Sequence, residues 1–386
     1  MRILYISSHY NPFEYNTGSD QRYNLLLRAC ANIAEVDVVT FKSGVVSDIP
    51  NCHVIYSQDS PLPMVGGRWY RLKRLLTPWN PYSFFNKDKN RSEAVEKIID
   101  NGKYDYIVTR YIPRALECGL LKYADRLVID VDDHPVDIMM ALSKDAASKR
   151  ASRYYKLLGH MIKGSMNRIL DKVRFSYFPN AIQVHSKSSA YLPNIPYYET
   201  KSLSYLDVPT YKLLFVGDLR YQPNIIGVEH FVEKILPKVY EAIPNVKFLI
   251  GGKYTDEAWK NKIMKNANVQ VLGFVDKLQN VYQEAQVCVV PVYSGAGTNI
   301  KVLEALQMGR ACVVSQEATR GFANHLQDGI SYCVAKNDDE FANEIIDLLL
   351  DLNKCKQLAC NGSNVIANYY SRNSFYNIVK STLIHE

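Results

Sequence analysis

The sequence contains no run approaching the roughly 20 apolar residues of a membrane-spanning helix, so no such span is expected. Its opening stretch, "MRILYISSHY", has one basic residue and alternates like a strand. The apolar part is too short for a signal peptide, which places the expected location in the cytoplasm. The eight cysteines include no C-x-x-C, and the closest pair is Cys355 and Cys360. Neither a zinc site nor a disulfide framework is expected, and no metal or cofactor is assigned. No G-x-G-x-x-G follows the first strand-like run, which disfavours a dinucleotide dehydrogenase. No fixed-period repeat points to a solenoid. Charge of one sign is in modest excess: +7 over 386 residues permits an anionic partner without specifying one, and nucleic acid is not expected.

What is present is a long soluble-type chain, 47% hydrophobic and 22% charged, with more residues than one ordinary core holds. Short unbroken apolar runs recur with helix-length amphipathic segments between them. In the first half they are "RILYIS", "VDVVTF", "HVIYS", "YDYIVTR", "RLVIDV" and "AIQVHS". In the second they are "KLLFVGD", "VKFLIGG", "VQVLGF", "VCVVPVY", "ACVVS" and "SYCVA". Such runs read as parallel strands covered on both faces, and two series predict two doubly wound α/β domains. The break falls in the proline-containing stretch from Tyr191 to Lys212, where periodicity is weak. The expected division is 1–200, 201–370 and a last helix, 371–386, that returns to the first domain. A long helical stretch without a strand is expected between Ser143 and Phe178. The basic, aromatic segment from Arg68 to Arg91 reads either as a solvated helix and loop or as a surface that meets an anionic lipid or a bulky acceptor.

The most pointed segment is "SGAGTNIKVLEALQMGR", Ser294 to Arg310. It begins at the carboxyl end of one buried run and is followed by another. Thr298 is expected to cap a helix by accepting from the Lys301 amide, and Gly309 to stop it. A strand, a glycine loop and a helix N-terminus together favour an anion, and Gly295 and Gly297 let it approach the backbone. Lys301 and Glu304, three apart, share one face of a helix that is otherwise apolar. Lys301 suits a phosphate and Glu304 a ribose diol, so the pair predicts a nucleotide diphosphate. The plainer reading is a surface i,i+3 salt bridge.

From Leu213 to Phe322 the motif order resembles the family 4-type glycosyltransferases of the GT-B fold. The shared features are VG-x-L, Pro-Asn before a long helix, ILP, LGFV, and K-V-L-E-A ahead of a small-residue strand. The opening of the chain, with Asn16-Thr17-Gly18-Ser19 as its glycine loop, resembles the start of these enzymes more weakly. The resemblance implies two Rossmann-like domains facing across a cleft. A nucleotide-sugar donor would sit mostly on the second domain and an acceptor on the first. The donor set it implies is Gly18, Gly217, Arg220, Phe274, Val275, Ser294, Gly295, Ala296, Gly297, Thr298, Asn299, Lys301 and Glu304. Within it, Phe274 and Val275 meet the base and Glu304 the ribose. The chain departs from the family where many relatives carry glutamate, at Ala296, and arginine and lysine, at Asp218 and Asn224. Lys301 is then the main phosphate cation and Arg220 a second candidate.

In the first half, "RLVIDVDDHP" ends a strand in Asp130, Asp132, Asp133 and His134. Clustered carboxylates beside a histidine suit acceptor binding or base work on an acceptor hydroxyl, so Asp130, Asp132 and His134 join Lys301 as candidate catalytic residues. A turn with an Asp cap is the structural reading. Arg110, His9 and His185 are further strand-end candidates. The function the resemblance implies is a hexosyltransferase, GT4-like, independent of metal. It would move sugar from a nucleotide-diphosphate donor to a glycan or lipid-linked acceptor with retention of configuration, in cell-surface polysaccharide assembly. Peripheral contact with the inner face of the membrane through Arg68–Arg74 is an accompanying expectation. The competing readings are a non-catalytic nucleotide-sugar-binding or partner-binding protein of the same fold, and a nucleotide-sugar 2-epimerase.

Overall fold

The computed structural model describes every residue except 9, 16, 61–87, 133, 145, 147, 185, 255, 296, 323, 324, 385 and 386. His9, Arg68–Arg74, Asp133, His185 and Ala296 therefore lie outside the described residues. The chain divides into two compact units. Unit 1 is Met1–Pro193 with Phe375–Glu386, and unit 2 is Asn194–Ser374.

Unit 1 contains β1 (Arg2–Ser7), α1 (Gly18–Ala31), β2 (Glu35–Thr40), β3 (Cys52–Ser57), α2 (Lys89–Asn101), β4 (Tyr106–Arg110) and α3 (Ile112–Glu117). They are followed by β5 (Leu127–Asp130), α4 (Pro135–Lys144), α5 (Lys149–Leu170), β6 (Phe175–Phe178) and β7 (Ser189–Tyr191). Among the described residues the seven strands form one parallel sheet, ordered β3-β2-β1-β4-β5-β6-β7. The strands are short and apolar because both faces are covered: β5 and β6 are buried along their whole length. The expected strand "AIQVHS" is absent. Ala181–Gln183 form a single 3-10 turn, with Ile182 84% exposed. The sheet is continued instead by "FSYF" of β6, inside the segment expected to be wholly helical. Four bulky aromatic and polar residues carry no aliphatic signature, yet all four are buried.

Unit 2 contains β8 (Lys212–Val216), α6 (Gln222–His230), a π turn (Phe231–Ile235), α7 (Leu236–Ala242), β9 (Lys247–Gly251), α8 (Glu257–Ile263), β10 (Val269–Gly273) and α9 (Leu278–Glu284). Then come β11 (Val287–Val290), α10 (Ile300–Gln307), β12 (Ala311–Ser315), β13 (Cys333–Ala335), α11 (Asp338–Leu350) and α12 (Leu352–Tyr369). Its six strands are parallel and ordered β10-β9-β8-β11-β12-β13. Gln286 shows how polar groups are accommodated beneath the helices. It is wholly buried, its amide donates to the carbonyls of Leu348 and Leu349 at 3.1 and 2.9 Å, and its oxygen accepts from the amides of Thr210 and Tyr211. Arg310 is likewise fully buried, with no carboxylate partner among the described residues; the carbonyls of Tyr282, Gly309 and Ser204 take up its guanidinium.

The boundary between the units lies at Pro193 and Asn194. The last helix, α13 (Arg372–Ile384), is divided between them at Ser374 and Phe375. Within unit 1 the hydroxyls of Tyr177 on β6 and Thr382 on α13 are hydrogen-bonded.

Candidate functional site

In a doubly wound sheet a ligand crevice opens at the carboxyl edge, where the strand order reverses. In unit 2 that point lies between β8 and β11. The loops leaving these two strands are Gly217–Tyr221 and Pro291–Asn299, which contain most of the expected donor set.

The first loop is set by backbone bonds along the sheet edge. The Gly217 amide donates to Gly251, Leu219 to Lys253 and Gly252 to Gly273, at 2.8–2.9 Å. At Gly252 (φ +151°) a Cβ would stand 1.8 Å from the Gly217 carbonyl oxygen, so only glycine lets these loops lie together. Asn224 is buried, and its amide donates 2.8 Å to the Asp218 carbonyl; it fixes the turn. Arg220, expected as a second phosphate cation, is paired with Asp218 at the surface. Its Nε and Nη2 hold both carboxylate oxygens of Asp218, at 2.8 and 2.6 Å. The hydrogen bond from Arg220 holds the Asp218 carboxyl below its ordinary value.

The second loop is clasped from two sides. Gly295 has φ +111°, and a Cβ there would stand 3.1 Å from the Tyr221 hydroxyl. From the other side the Arg320 guanidinium donates to the Gly295 carbonyl. Gly321 (φ +96°) lies against Thr298, where a Cβ would stand 2.5 Å from the threonine Oγ1. Thr298 does not cap the helix. Asn299 occupies that position and makes no side-chain cap, and the Thr298 hydroxyl accepts from Asn194 at 3.3 Å. Gly309 does end it. In a Schellman arrangement its amide donates to Leu306 and that of Arg310 to Ala305, with Gly309 at φ +68°.

On α10, Val302, Leu303, Ala305 and Leu306 are buried, while Lys301 and Glu304 are half-buried on the remaining face. Among the described residues Lys301 Nζ has one polar partner, Asn299 Oδ1 at 3.2 Å, and no side chain donates to Glu304. Burial pushes the Lys301 ammonium down to about 8, against the pull of Glu304. It pushes the Glu304 carboxyl up to about 7, against the pull of Lys301. A cation and an anion are thus held partly out of water without closing on each other, which rules out the surface salt bridge. Further along the edge, Phe274 is 62% exposed, with Lys253 Nζ 4.7 Å from its ring centroid, and Val275 is half-buried. Ser294 is half-buried and Gly297 exposed.

In unit 1 the reversal lies between β1 and β4. Gly18 is there as the first residue of α1, exposed, behind a capping box formed by Thr17 and Asp20. Asp130 is withdrawn from the substrate-facing set. It is fully buried and both its oxygens are occupied, by Arg22 Nη2 at 2.7 Å and by Nε of Arg22 and of Arg110, each at 2.9 Å. Burial alone would raise this carboxyl, but the two guanidiniums outweigh it and hold it below the ordinary range, which makes it a poor base. Asp132, at the strained φ of +44°, is bound by Arg110 and accepts from the Tyr111 hydroxyl at 3.1 Å. His134 packs 6.1 Å from the Phe178 ring, with Nδ1 4.0 Å from the Asp137 carboxylate. Asp132 and His134 follow the end of β5, and Arg110 braces Asp132.

The sequence reading missed Arg320, Tyr221 and Lys253. Each lies one loop away from a motif, and only the crossing of strands brings them to it. Lys253 and Phe274, for example, follow β9 and β10 separately.

The fold is of the GT-B type, with two Rossmann-like parallel sheets. Residues 210–351 match the family model described as Glycosyl transferases group 1, so unit 2 carries that domain. Among curated proteins, a Klebsiella pneumoniae protein described as an uncharacterized 44.6 kDa protein in cps region is 27% identical over 306 residues. The match spans 76% of this chain and 77% of that one. Among solved structures, sucrose-phosphate synthase from Thermosynechococcus elongatus matches with a TM-score of 0.67 at 17% identity, covering 98% of this chain and 97% of that one. A glycosyltransferase from Rickettsia africae matches at 0.62 and 12%, covering 100% and 99%. Anabaena HepE in complex with UDP matches at 0.62 and 13%, covering all of both chains. Among the described residues no helix is long and apolar enough to cross a membrane.

Proposed function

We propose that the chain is a GT4-like hexosyltransferase that moves sugar from a nucleotide-diphosphate donor to a glycan or lipid-linked acceptor. The reading includes retention of configuration and a place in cell-surface polysaccharide assembly. The observation that carries it is the unpaired Lys301 and Glu304 on α10, at the switch point of unit 2. The lysine faces the diphosphate and the glutamate accepts from the ribose diol. Phe274 and Val275 lie at the base, and Ser294–Asn299 wrap the phosphates. The UDP complex of HepE and the cps-region relative support the donor class and the biological setting.

In this reading the bond between the anomeric carbon and the leaving phosphate oxygen breaks as the acceptor oxygen bonds to the same carbon. The acceptor proton passes to the departing phosphate oxygen. No protein nucleophile is needed, and the chain contributes positioning and stabilisation of developing negative charge. Asp132 and His134 in unit 1 orient the acceptor hydroxyl. Neutralisation of the diphosphate by Lys301 is consistent with metal-independent transfer.

Slow hydrolysis of a panel of nucleotide sugars by the purified protein tests the proposal. Hydrolysis of one donor that disappears in Lys301→Ala and Glu304→Ala supports it. Donor binding with no turnover, across donors and acceptors, would make the chain a binding protein instead.

A further inference from the structure

Helix α5 concentrates charge of one sign. Its 22 residues include Lys149, Arg150, Arg153, Lys156, Lys163 and Arg168, and no aspartate or glutamate. One face, with Leu158, Ile162, Met166 and Leu170, is buried in the unit 1 core. On the opposite face Lys149, Arg153, Lys156, His160 and Lys163 are spaced by four, three, four and three residues, and all are exposed. That spacing aligns them in one stripe about 21 Å long. Leu157, 56% exposed, lies alongside its middle, and Arg150 broadens its start.

A basic surface helix is ordinarily laced to acidic neighbours, and elsewhere in this chain that is so. Lys212 pairs with Glu284 at 2.6 Å, Lys238 with Asp339 at 2.5 Å, Lys262 with Glu229 at 3.0 Å and Lys354 with Asp347 at 3.6 Å. Among the described residues Lys149, Arg150, Arg153, Lys156 and Lys163 form no ion pair. Five cations without an ion pair among the described residues, gathered on one helix, form an electrostatic surface rather than a scatter of solvated side chains.

We propose that this face docks unit 1 on an anionic phospholipid surface. Such a surface attracts each nearby lysine or arginine and is screened by salt. The exposed Leu157 among the cations favours a lipid boundary over a nucleic-acid backbone, because an interfacial helix gains from apolar contact at its edge. Gly159 of α5 lies against α4, where a Cβ would stand 3.4 Å from Met139 Cβ and Met140 Cε. The middle of the stripe is therefore level with the middle of α4. The docking argument stands on α5 alone and does not depend on the donor chemistry.

The test is flotation of the full chain with vesicles of phosphatidylglycerol and phosphatidylcholine, and with phosphatidylcholine alone, at low and high salt. The expected result is binding to the anionic vesicles only, lost at high salt. It should weaken by more than about tenfold in the Arg153→Gln, Lys156→Gln, Lys163→Gln triple variant. A control variant, Lys238→Gln, Lys262→Gln, Lys354→Gln, removes the same charge from paired sites and should bind as the parent does. Because all three α5 positions are exposed, the triple variant should keep the parent's Tm. No binding to anionic vesicles at low salt would overturn the proposal. Equal binding by parent and triple variant, or tighter binding to duplex DNA or RNA than to the vesicles, would also overturn it.

Discussion

Lys301 and Glu304 stand one helical turn apart on α10, half-buried, and do not pair with each other; among the described residues the lysine reaches only Asn299. A charged i,i+3 pair usually gains something by closing. Here each group is displaced toward its neutral form, the ammonium to about 8 and the carboxyl to about 7. In the proposed function these two poorly solvated charges meet a ligand that supplies an anion for one and hydroxyls for the other.

Donor affinity should therefore follow a bell in pH. Below about 7 Glu304 takes up a proton and can no longer accept from both ribose hydroxyls. Above about 8 Lys301 loses its proton and its attraction for the diphosphate. Titration calorimetry between pH 6 and 9.5 should give the tightest binding between those values. Lys301→Arg, whose guanidinium stays charged, should remove the fall on the alkaline side.

The same displacement costs folding stability. Below about 8 the folded protein carries a protonated, half-buried Lys301, and that cost is relieved only as pH rises toward the unfolded lysine value. At pH 7 Lys301→Met should raise Tm by about 2–4 °C while abolishing donor binding, a trade expected where a site is kept for function. Differential scanning calorimetry reads the sign directly.

Asp130 should behave as a structural residue. Replacing it by asparagine leaves the buried Arg22 and Arg110 with Asp132 as their remaining shared carboxylate among the described residues. The expected loss is about 3–5 kcal/mol in urea unfolding. Asp132→Asn touches a group at the edge of the same cluster and should cost less stability but more transfer to acceptor.

Gly227 reverses an ordinary rule. Alanine in a helix interior usually stabilises relative to glycine. In α6, however, a Cβ at 227 would stand 1.9 Å from the Pro291 carbonyl oxygen, at the start of the loop that follows β11. Gly227→Ala should destabilise unit 2 by about 1–3 kcal/mol and weaken donor binding, seen together in thermal unfolding with and without nucleotide.

Arg320 should matter where Arg220 does not. Arg320 braces the Gly295 carbonyl and has no carboxylate partner among the described residues; Arg220 is held by Asp218. Arg320→Gln should weaken donor binding about tenfold with little change in Tm, and Arg220→Gln should leave donor binding near the parent's.

The strands of unit 2 were legible because each is a Val, Ile and Leu run that the parallel sheet buries on both faces, as in "VCVV" of β11. The order of those runs located the loop at Ser294 and the charged strip on α10. Unit 1 was less legible at its far edge, where "FSYF" forms the strand and the more aliphatic "AIQV" lies outside the sheet. Asp130 misled for a related reason. A strand-end carboxylate reads as a site residue unless the arginines that bury it are known. Arg22 is distant in sequence, joined to Asp130 only by the packing of α1 over the sheet. Arg320 and Tyr221 were hidden in the same way, since partners brought in by separate crossovers leave no local pattern.

The most direct measurement is calorimetric titration of nucleoside-diphosphate sugars into the parent, Lys301→Ala and Glu304→Ala at pH 7.5. The account predicts that at least one donor binds the parent, and that each substitution weakens it by about tenfold or more without unfolding the protein. Variants that bind that donor as tightly as the parent would contradict it.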